Sequence, residues 1–532
     1  MPKFSELRKR FSFPTNLALI LLAITLLRIP NFFEPYWYGD EGIYLTIGNA
    51  LARGSKLYAE IVDHKTPLIY YLAMVPSQLH FRILLFGWMM ATTVCFYYLA
   101  EKLLKKPLAT TVATIIFAIF TTLPWFEGNI PNGELFVMGF VIVGLLIVSY
   151  TRYFSHALVK NTSKHPKMTN SISLLIGGVL AGLAILTKVP ALFDAVAIFT
   201  IGYFHLVQTF STDKSTWNNW LKDLRSIGLS WLLVVTGIVV PIAVSLLYFI
   251  SVGSAQDYLF FGLLYNFHYA GNWQLPITNP LLLFFFTLQG KIAFLALVFI
   301  LLTVLKKFLT AAQQFILGWS ALALVASLLS NRPYPHYFLQ AIPPLSLAVA
   351  MFGTSLFDLL KEKRNAVQNI LSASFSGVLL VFFISLLFIM NVGLYPTVSY
   401  YQKFIALQTK AISLQEYIYS FNYLMKDNYY LAPLIKAENP DHIFIWGTNP
   451  MLYALSQTRP VGKFTVAFHI EDLGVQEETM QALQANKPEF IVIMKEQKSK
   501  LPGLTELILS GYYPFANLDY MIVWKKMSIE QV

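Results

Sequence analysis

Long apolar stretches recur through the first three quarters of this chain and leave it few folds to choose from. Ten of them, near residues 82–100, 108–125, 134–152, 172–187, 190–208, 227–250, 280–304, 314–330, 337–358 and 369–394, approach the length that crosses about 30 Å of hydrocarbon. Lipid offers no partner to a backbone N–H or C=O, so stretches like these become helices. A shorter run, Leu17–Leu27, follows the basic residues Lys3, Arg8, Lys9 and Arg10 as a signal peptide would. Arg28-Ile29-Pro30 comes next instead of a small-residue cleavage site, so it reads as a retained first span. The expected fold is therefore a mostly α, polytopic bundle of about eleven spans, its least distinct boundary being Lys188-Val189-Pro190 between the fifth and sixth. Charged residues make up only 13% of the chain, against about 25% in soluble globular proteins.

Loop charge sets the orientation. Lys102, Lys105 and Lys106; Arg152, Lys160, Lys164 and Lys167; Lys214, Lys222 and Arg225; Lys306 and Lys307; and Lys361, Lys363 and Arg364 fall on the same side as the basic N-terminal tail. The opposite loops hold only Arg53, Lys56, Lys65, Lys188 and Arg332, with Arg82 at the border. Lysine and arginine accumulate on the cytoplasmic side, so the N-terminus is expected inside and the Asp40-Glu41 loop outside a multi-pass cell membrane protein. The formal charge of +11 is dispersed in small groups, not laid out as a stripe, which argues against a nucleic-acid partner. One cysteine, Cys95, excludes an internal disulfide framework.

From about Tyr395 the texture becomes that of a soluble domain. Residues 1–395 are expected to form a membrane domain with outer-face loops, and 396–532 an extracytoplasmic α/β domain. Within the latter, a helix is expected over Tyr401–Leu424, strands at His442–Trp446, Phe490–Met494 and near 519–524, and helices at Met451–Leu455 and 475–486. Gly178 and Gly182 have the small-xxx-small spacing that packs membrane helices closely.

Chemistry-bearing residues gather in the outward loops. Asp40-Glu41 opens a helical pattern with Ile43, Ile47, Ala50 and Leu51 on one face and Gly54 as its stop, so Asp40 has a capping role open to it as well as a catalytic one. Asp63-His64-Lys65-Thr66-Pro67-Leu68 places three ionisable residues before a helix-starting proline. A lysine there can snorkel to the headgroups or contact a lipid phosphate. Asn331-Arg332-Pro333-Tyr334-Pro335-His336-Tyr337 sets an arginine, a histidine and a tyrosine on a proline-stiffened loop suited to phosphate. Asn132, Glu134 and Lys188 stand at outward span ends, where ionisable groups mark function. The aromatic segment 251–279, with His268 and Tyr269, reads as an interfacial belt or as the wall of a sugar pocket. A carboxylate that can take a hydroxyl's proton, near cations that can neutralise a departing phosphate, suits group transfer from a phosphate-linked lipid. No strong metal signature is present, although an acidic pair leaves a divalent metal possible.

In these three motifs the sequence resembles the GT-C membrane glycosyltransferases, in the branch of the protein O-mannosyltransferases and lipid A aminoarabinose transferases. Asp63–Leu68 is similar to that family's lysine-proline-proline-leucine motif, with Thr66 in place of the first proline, and Arg332–Tyr337 to its arginine-and-histidine loop. The resemblance implies that Asp40 is the base, with Glu41 beside it. It further implies a polyprenyl-phosphate sugar donor, inversion at the anomeric carbon, and a lipid, glycan or protein acceptor.

Together these readings assign Asp40 and Glu41 to catalysis, and Lys65, Lys188, Arg332, His336 and Tyr337 to the donor phosphate. Asp63, His64, Asn132, Glu134, His268 and Tyr269 are assigned to the substrate pocket. A transporter or flippase of lipid-linked glycans is the competing class. It predicts internal repeats and helices broken at midplane, neither of which the sequence displays, and a scaffold leaves the acidic pair without a purpose.

Overall fold

The computed structural model describes residues 14–159, 170–210, 214–271, 273, 275–361 and 366–527. Lys3, Arg8, Lys9, Arg10, Lys160, Lys164, Lys167, Lys363 and Arg364, on which part of the orientation argument rests, lie outside these. Each expected apolar run is helical, but the run 280–304 is broken at the extended Thr287 into Pro280–Phe286 and Leu288–Val304. Among the described residues seven helices are long and apolar enough to cross a membrane: Thr15–Phe33, Gln78–Leu104, Ala191–Thr209, Trp217–Ser251, Leu288–Lys307, Pro335–Lys361 and Ala366–Ile389. Pro107–Phe120, Gly133–Val148, Ser171–Thr187 and Ala311–Ser327 are shorter apolar helices, which with the seven make up the eleven expected. The reason they can be shorter is visible in Ala311–Ser327, where nearly every residue is buried by protein. A helix walled in by its neighbours need not match the thickness of the hydrocarbon.

Small residues set the closest helix contact. A Cβ on Gly178 would lie 2.2 Å from the Val234 carbonyl oxygen, and one on Gly182 would lie 2.5 Å from the Pro241 ring. Gly237 on the long partner helix answers with 2.3 Å to the Leu175 carbonyl. The glycine spacing therefore packs helices, as membrane interfaces without a hydrophobic driving force require.

After the last span the helix expected over Tyr401–Leu424 is divided. One helix runs Thr397–Gln408, and a second, Leu414–Tyr419, begins at a capping box in which Ser413 and Glu416 bond each other's backbone. Lys410 between them has φ +59°, which a continuous helix does not allow. Three strands appear where short continuous apolar runs put them, β1 (His442–Trp446), β3 (Phe490–Met494) and β5 (Met521–Lys526, two residues later than expected). Two more, β2 (Arg459–Pro460) and β4 (Tyr512–Asn517), complete a sheet of order β2-β1-β3-β5-β4. β1 is parallel to β2 and β3, whereas β5 runs antiparallel to both β3 and β4.

Side chains alternate across the sheet. Ile443 and Ile445 pack with Leu431, Ile435 and Tyr453 in a core of the tail region. Phe444 and Trp446 face the other way, into a core continuous with that of the membrane helices. The tail thus sits directly on the membrane part. Its sharpest contact is at Gly42, where a Cβ would come within 2.8 Å of the Met451 backbone nitrogen. On the same helix a Cβ on Gly48 would meet the Ala73 carbonyl at 2.2 Å. The Gly39–Ala52 helix, expected to bury one face, is therefore covered on both sides. Further along, the Val62 N–H donates to the Lys463 carbonyl at 2.8 Å, tying the loop before Asp63 to the tail.

Candidate active site

The acidic pair divides. Asp40 lies in the first turn of the Gly39–Ala52 helix, behind an N-terminal residue, Tyr38, that makes no side-chain cap, so the capping role open to Asp40 is not realised. Its carboxylate keeps 29% of its surface and lies 3.4 Å from the Lys65 Nζ. The Tyr44 hydroxyl is also 3.4 Å away. Burial pushes Asp40's pKa up, but Lys65, His336 and Lys188 outweigh this and hold it below the usual carboxylate range. Glu41, one residue on, is turned about 100° round the helix and is 1% exposed. It accepts from Arg82 Nε at 2.9 Å, Arg82 Nη2 at 2.7 Å and Gln78 Nε2 at 2.8 Å. Arg82 also pairs with Glu34 at 2.8 Å, and Glu34 takes the Trp37 indole at 2.8 Å and the Asn129 amide at 3.0 Å. Glu41 belongs to this closed network and does not share Asp40's surroundings.

Lys65 is held between Asp40 and Asp63, at 3.4 and 3.5 Å, with 11% of its side chain exposed. A snorkelling lysine would end in solvent. Here burial lowers the pKa, yet the two carboxylates raise it well above the ordinary value. Its backbone is fixed at both ends. The Lys65 carbonyl accepts the Tyr58 hydroxyl at 2.7 Å, and its N–H donates to the Tyr70 oxygen at 3.1 Å. Tyr70 in turn donates to Asp63 at 2.7 Å.

Beside this pair opens a cavity of about 420 Å³ lined by His64, Lys65, Glu134, Lys188, Tyr269 and Tyr337, among others. Lys188 forms an ion pair with Glu134 and lies 4.1 Å over the Tyr337 ring. Burial lowers the Lys188 pKa despite Glu134. Arg332 stacks at 3.8 Å on Tyr269, which stacks at 4.3 Å on His64. The Arg332 Nη2 donates to the Tyr269 carbonyl at 3.4 Å, while its buried Nε has no partner. The rim is apolar and open: Phe267 and Leu288 are 70% and 58% exposed.

Asp40, Glu41, Asp63, Asn132, His268, Arg332 and His336, all assigned from the sequence, are not in the cavity wall. His268 is half exposed, 3.5 Å from Asp472 on the tail, because its helical turn points Tyr269 inward and His268 outward. Asn132 is fully buried at the start of the Gly133–Val148 helix. His336 is buried against Glu127 at 2.6 Å and the Tyr38 hydroxyl at 3.0 Å. Asp63 has no exposed surface and serves as the fixed counter-ion of Lys65. The sequence reading missed Glu127, Tyr38, Tyr44 and Tyr70, for which no motif exists. It also missed Lys291, which a search for lysines inside apolar runs would have found.

Asp63, His64 and the tail's His469 can together hold a metal ion, since their ligand atoms lie within 4.8 Å of one another. The Asp63 Oδ1 is 3.0 Å from His64 Nδ1 and 3.6 Å from His469 Nε2. Asp63 Oδ1 and His469 Nδ1 are buried without a hydrogen-bond partner. Burial lowers the His469 pKa to about 4, helped by His64 and Lys65, so the ring is neutral and its nitrogens can ligate. Two imidazoles and a carboxylate suit Zn²⁺.

No family model and no curated protein matches the chain. Solved structures do. The chain is similar to an oligosaccharyltransferase of Archaeoglobus fulgidus tethered to an acceptor peptide, at 13% identity and TM-score 0.48, over 97% of this chain and 74% of that one. A second structure, the archaeal oligosaccharyltransferase AglB of Archaeoglobus fulgidus with an inhibitory peptide and a dolichol-phosphate, gives 12% identity and TM-score 0.46 over 99% and 75%. The apo structure of ArnT from Cupriavidus metallidurans gives 14% identity and TM-score 0.48 over 96% and 98%. At such identities the likeness is one of overall layout.

Proposed function

We propose that this chain is an inverting glycosyltransferase of the outer membrane face, moving a sugar from a polyprenyl-phosphate donor to the hydroxyl of a lipid, glycan or protein. The observation that supports it most is Asp40, a partly exposed carboxylate 3.4 Å from Lys65 at the edge of a cavity lined with lysines and aromatic rings. The donor's phosphate lies by Lys65 and Arg332, its sugar against the rings of Tyr269 and Tyr337, and its isoprenoid chain leaves over Phe267 and Leu288. Arrival of the phosphate draws Lys65 away from Asp40. The carboxylate loses its counter-ion and becomes more basic. It then takes the acceptor's proton while the oxygen attacks the anomeric carbon from the face opposite the phosphate, which inverts that carbon. Glu41 positions the helix from within its network. A metal at Asp63, His64 and His469 would supply positive charge beside Lys65 and fix the tail against the loop.

Purified protein, a polyprenyl-phosphate sugar and a hydroxyl acceptor test the reading. Formation of a glycoside of opposite anomeric configuration supports it. Movement of lipid-linked sugar across a vesicle wall without glycoside formation would replace it with the transporter reading.

A further inference from the structure

The cations around the cavity are not equally matched. Lys65 has two carboxylates, Asp40 and Asp63, and Lys188 has Glu134. Lys291, on the Leu288–Val304 helix, lines the same cavity and is 3% exposed. Its Nζ donates to the Asn331 Oδ1 at 2.8 Å, a neutral partner, and Asn331 is itself held by donating to the Phe286 carbonyl at 2.9 Å. Arg332, the next residue, is 8% exposed and stacked on rings. Among the described residues the partners of Lys291 and Arg332 are neutral: the Asn331 amide oxygen for one, and the Tyr269 carbonyl and ring for the other. Lys291 thus lines the cavity, Arg332 stands behind its wall against the lining rings of Tyr269 and Trp273, and neither takes a counter-charge from the described residues. Burying an ammonium without a partner is costly, and such groups inside a membrane protein face a ligand or an ion path.

Resting on the glycosyl-transfer reading, we infer that Lys291 is a catalytic residue for leaving-group departure, recognising the second negative charge that a polyprenyl monophosphate acquires as it is released. The bookkeeping of the step is simple. The acceptor oxygen forms a bond to the anomeric carbon, and the bond from that carbon to the phosphate oxygen breaks with its electron pair on oxygen. The acceptor's proton goes to Asp40. A phosphodiester carrying one negative charge becomes a phosphomonoester carrying two, and Asp40 becomes neutral. Lys65 keeps Asp63 as its counter-ion throughout, so Arg332 answers the donor's single charge and Lys291 the second charge of the product. Lys291 therefore stabilises charge that develops during the reaction, the arrangement that lowers a barrier without tightening the ground state.

The test compares two lipids on the full-length protein in nanodiscs: a polyprenyl phosphate, dianionic above its second pKa of about 6, and its methyl ester, a monoanion like the donor. At pH 7, Lys291→Gln should weaken the phosphate by about 10–100-fold and the methyl ester by less than about 3-fold. Turnover should fall with little change in donor KM. Equal losses for the two lipids, or no loss for either, would overturn the inference while leaving the donor pocket in place. Failure of the wild-type protein to bind either lipid would overturn the underlying functional reading and this inference with it. Lys291→Met, near in size and uncharged, is the second variant if Lys291→Gln folds poorly.

Discussion

Asp40 and Lys65 face each other at 3.4 Å beside the cavity that Lys65 lines, although one belongs to a helix and the other to a loop. The loop is bent back by the Tyr58 and Tyr70 contacts to the Lys65 backbone and by Val62 bonding the tail. A base and the cation that masks it are therefore brought together by two separate segments. Asp40→Asn removes the base and leaves Lys65 paired with Asp63. Because Asp40 forms no cap, the fold should be kept, and transfer should fall by about 10²–10⁴-fold. Single-turnover transfer beside thermal melts checks this; near-normal turnover would place the base elsewhere.

Glu41→Gln should act through stability. The amide cannot satisfy both Arg82 nitrogens as an acceptor, while Glu34 remains as a counter-ion. The loss should be about 1–3 kcal/mol, seen as a lower Tm, with transfer tracking the folded fraction. A variant that melts like the wild type and yet transfers nothing would assign Glu41 to the chemistry.

Lys65→Ala and Arg332→Ala should each weaken donor binding by about 1.5–3 kcal/mol, the cost of a charge-assisted contact. Fluorescent or radiolabelled donor titrations measure it. Wild-type affinity in both variants would mean that the phosphate binds elsewhere.

The pH dependence has a definite sign. Lys65, His336 and Lys188 hold the Asp40 pKa below its ordinary value in the folded chain. The stability this adds is present above the unfolded value of about 3.9 and is lost as pH falls through the lower, folded value. For the same reason the free enzyme's acid limb of kcat/KM attributable to Asp40 should lie below about pH 4. In Lys65→Met the residual activity should lose its acid limb at higher pH. A limb at the same pH in both proteins would separate the two residues electrostatically.

Zinc should bind with about one ion per chain through Asp63, His64 and His469. Calorimetric titration of chelator-treated protein should show that one site, and His469→Ala should remove it. Metal binding to the folded chain should also raise the Tm, and an unchanged Tm together with no heat of binding would reject the site.

The membrane helices and the three main strands were legible because apolar period and length are local properties. So were the Gly178 and Gly182 contact and the nearness of Asp40 to Lys65. The fate of Glu41 was not legible, since Arg82 read only as a border charge and the partnership depends on two helices crossing. Lys291 was obscured by the apolar residues around it. His469 had no motif because its partners, Asp63 and His64, lie at the other end of the chain. Local pattern finds the elements, while pairings made by packing emerge only when the elements meet.

The glycine at position 42 has a consequence for how such a chain can change over time. With the Met451 backbone 2.8 Å from where a Cβ would stand, the helix bearing Asp40 is moulded to one particular tail surface. The tail is not an interchangeable attachment. Grafting a foreign domain there would move the base, so a new acceptor preference is more readily reached by altering tail loops than by exchanging the whole domain.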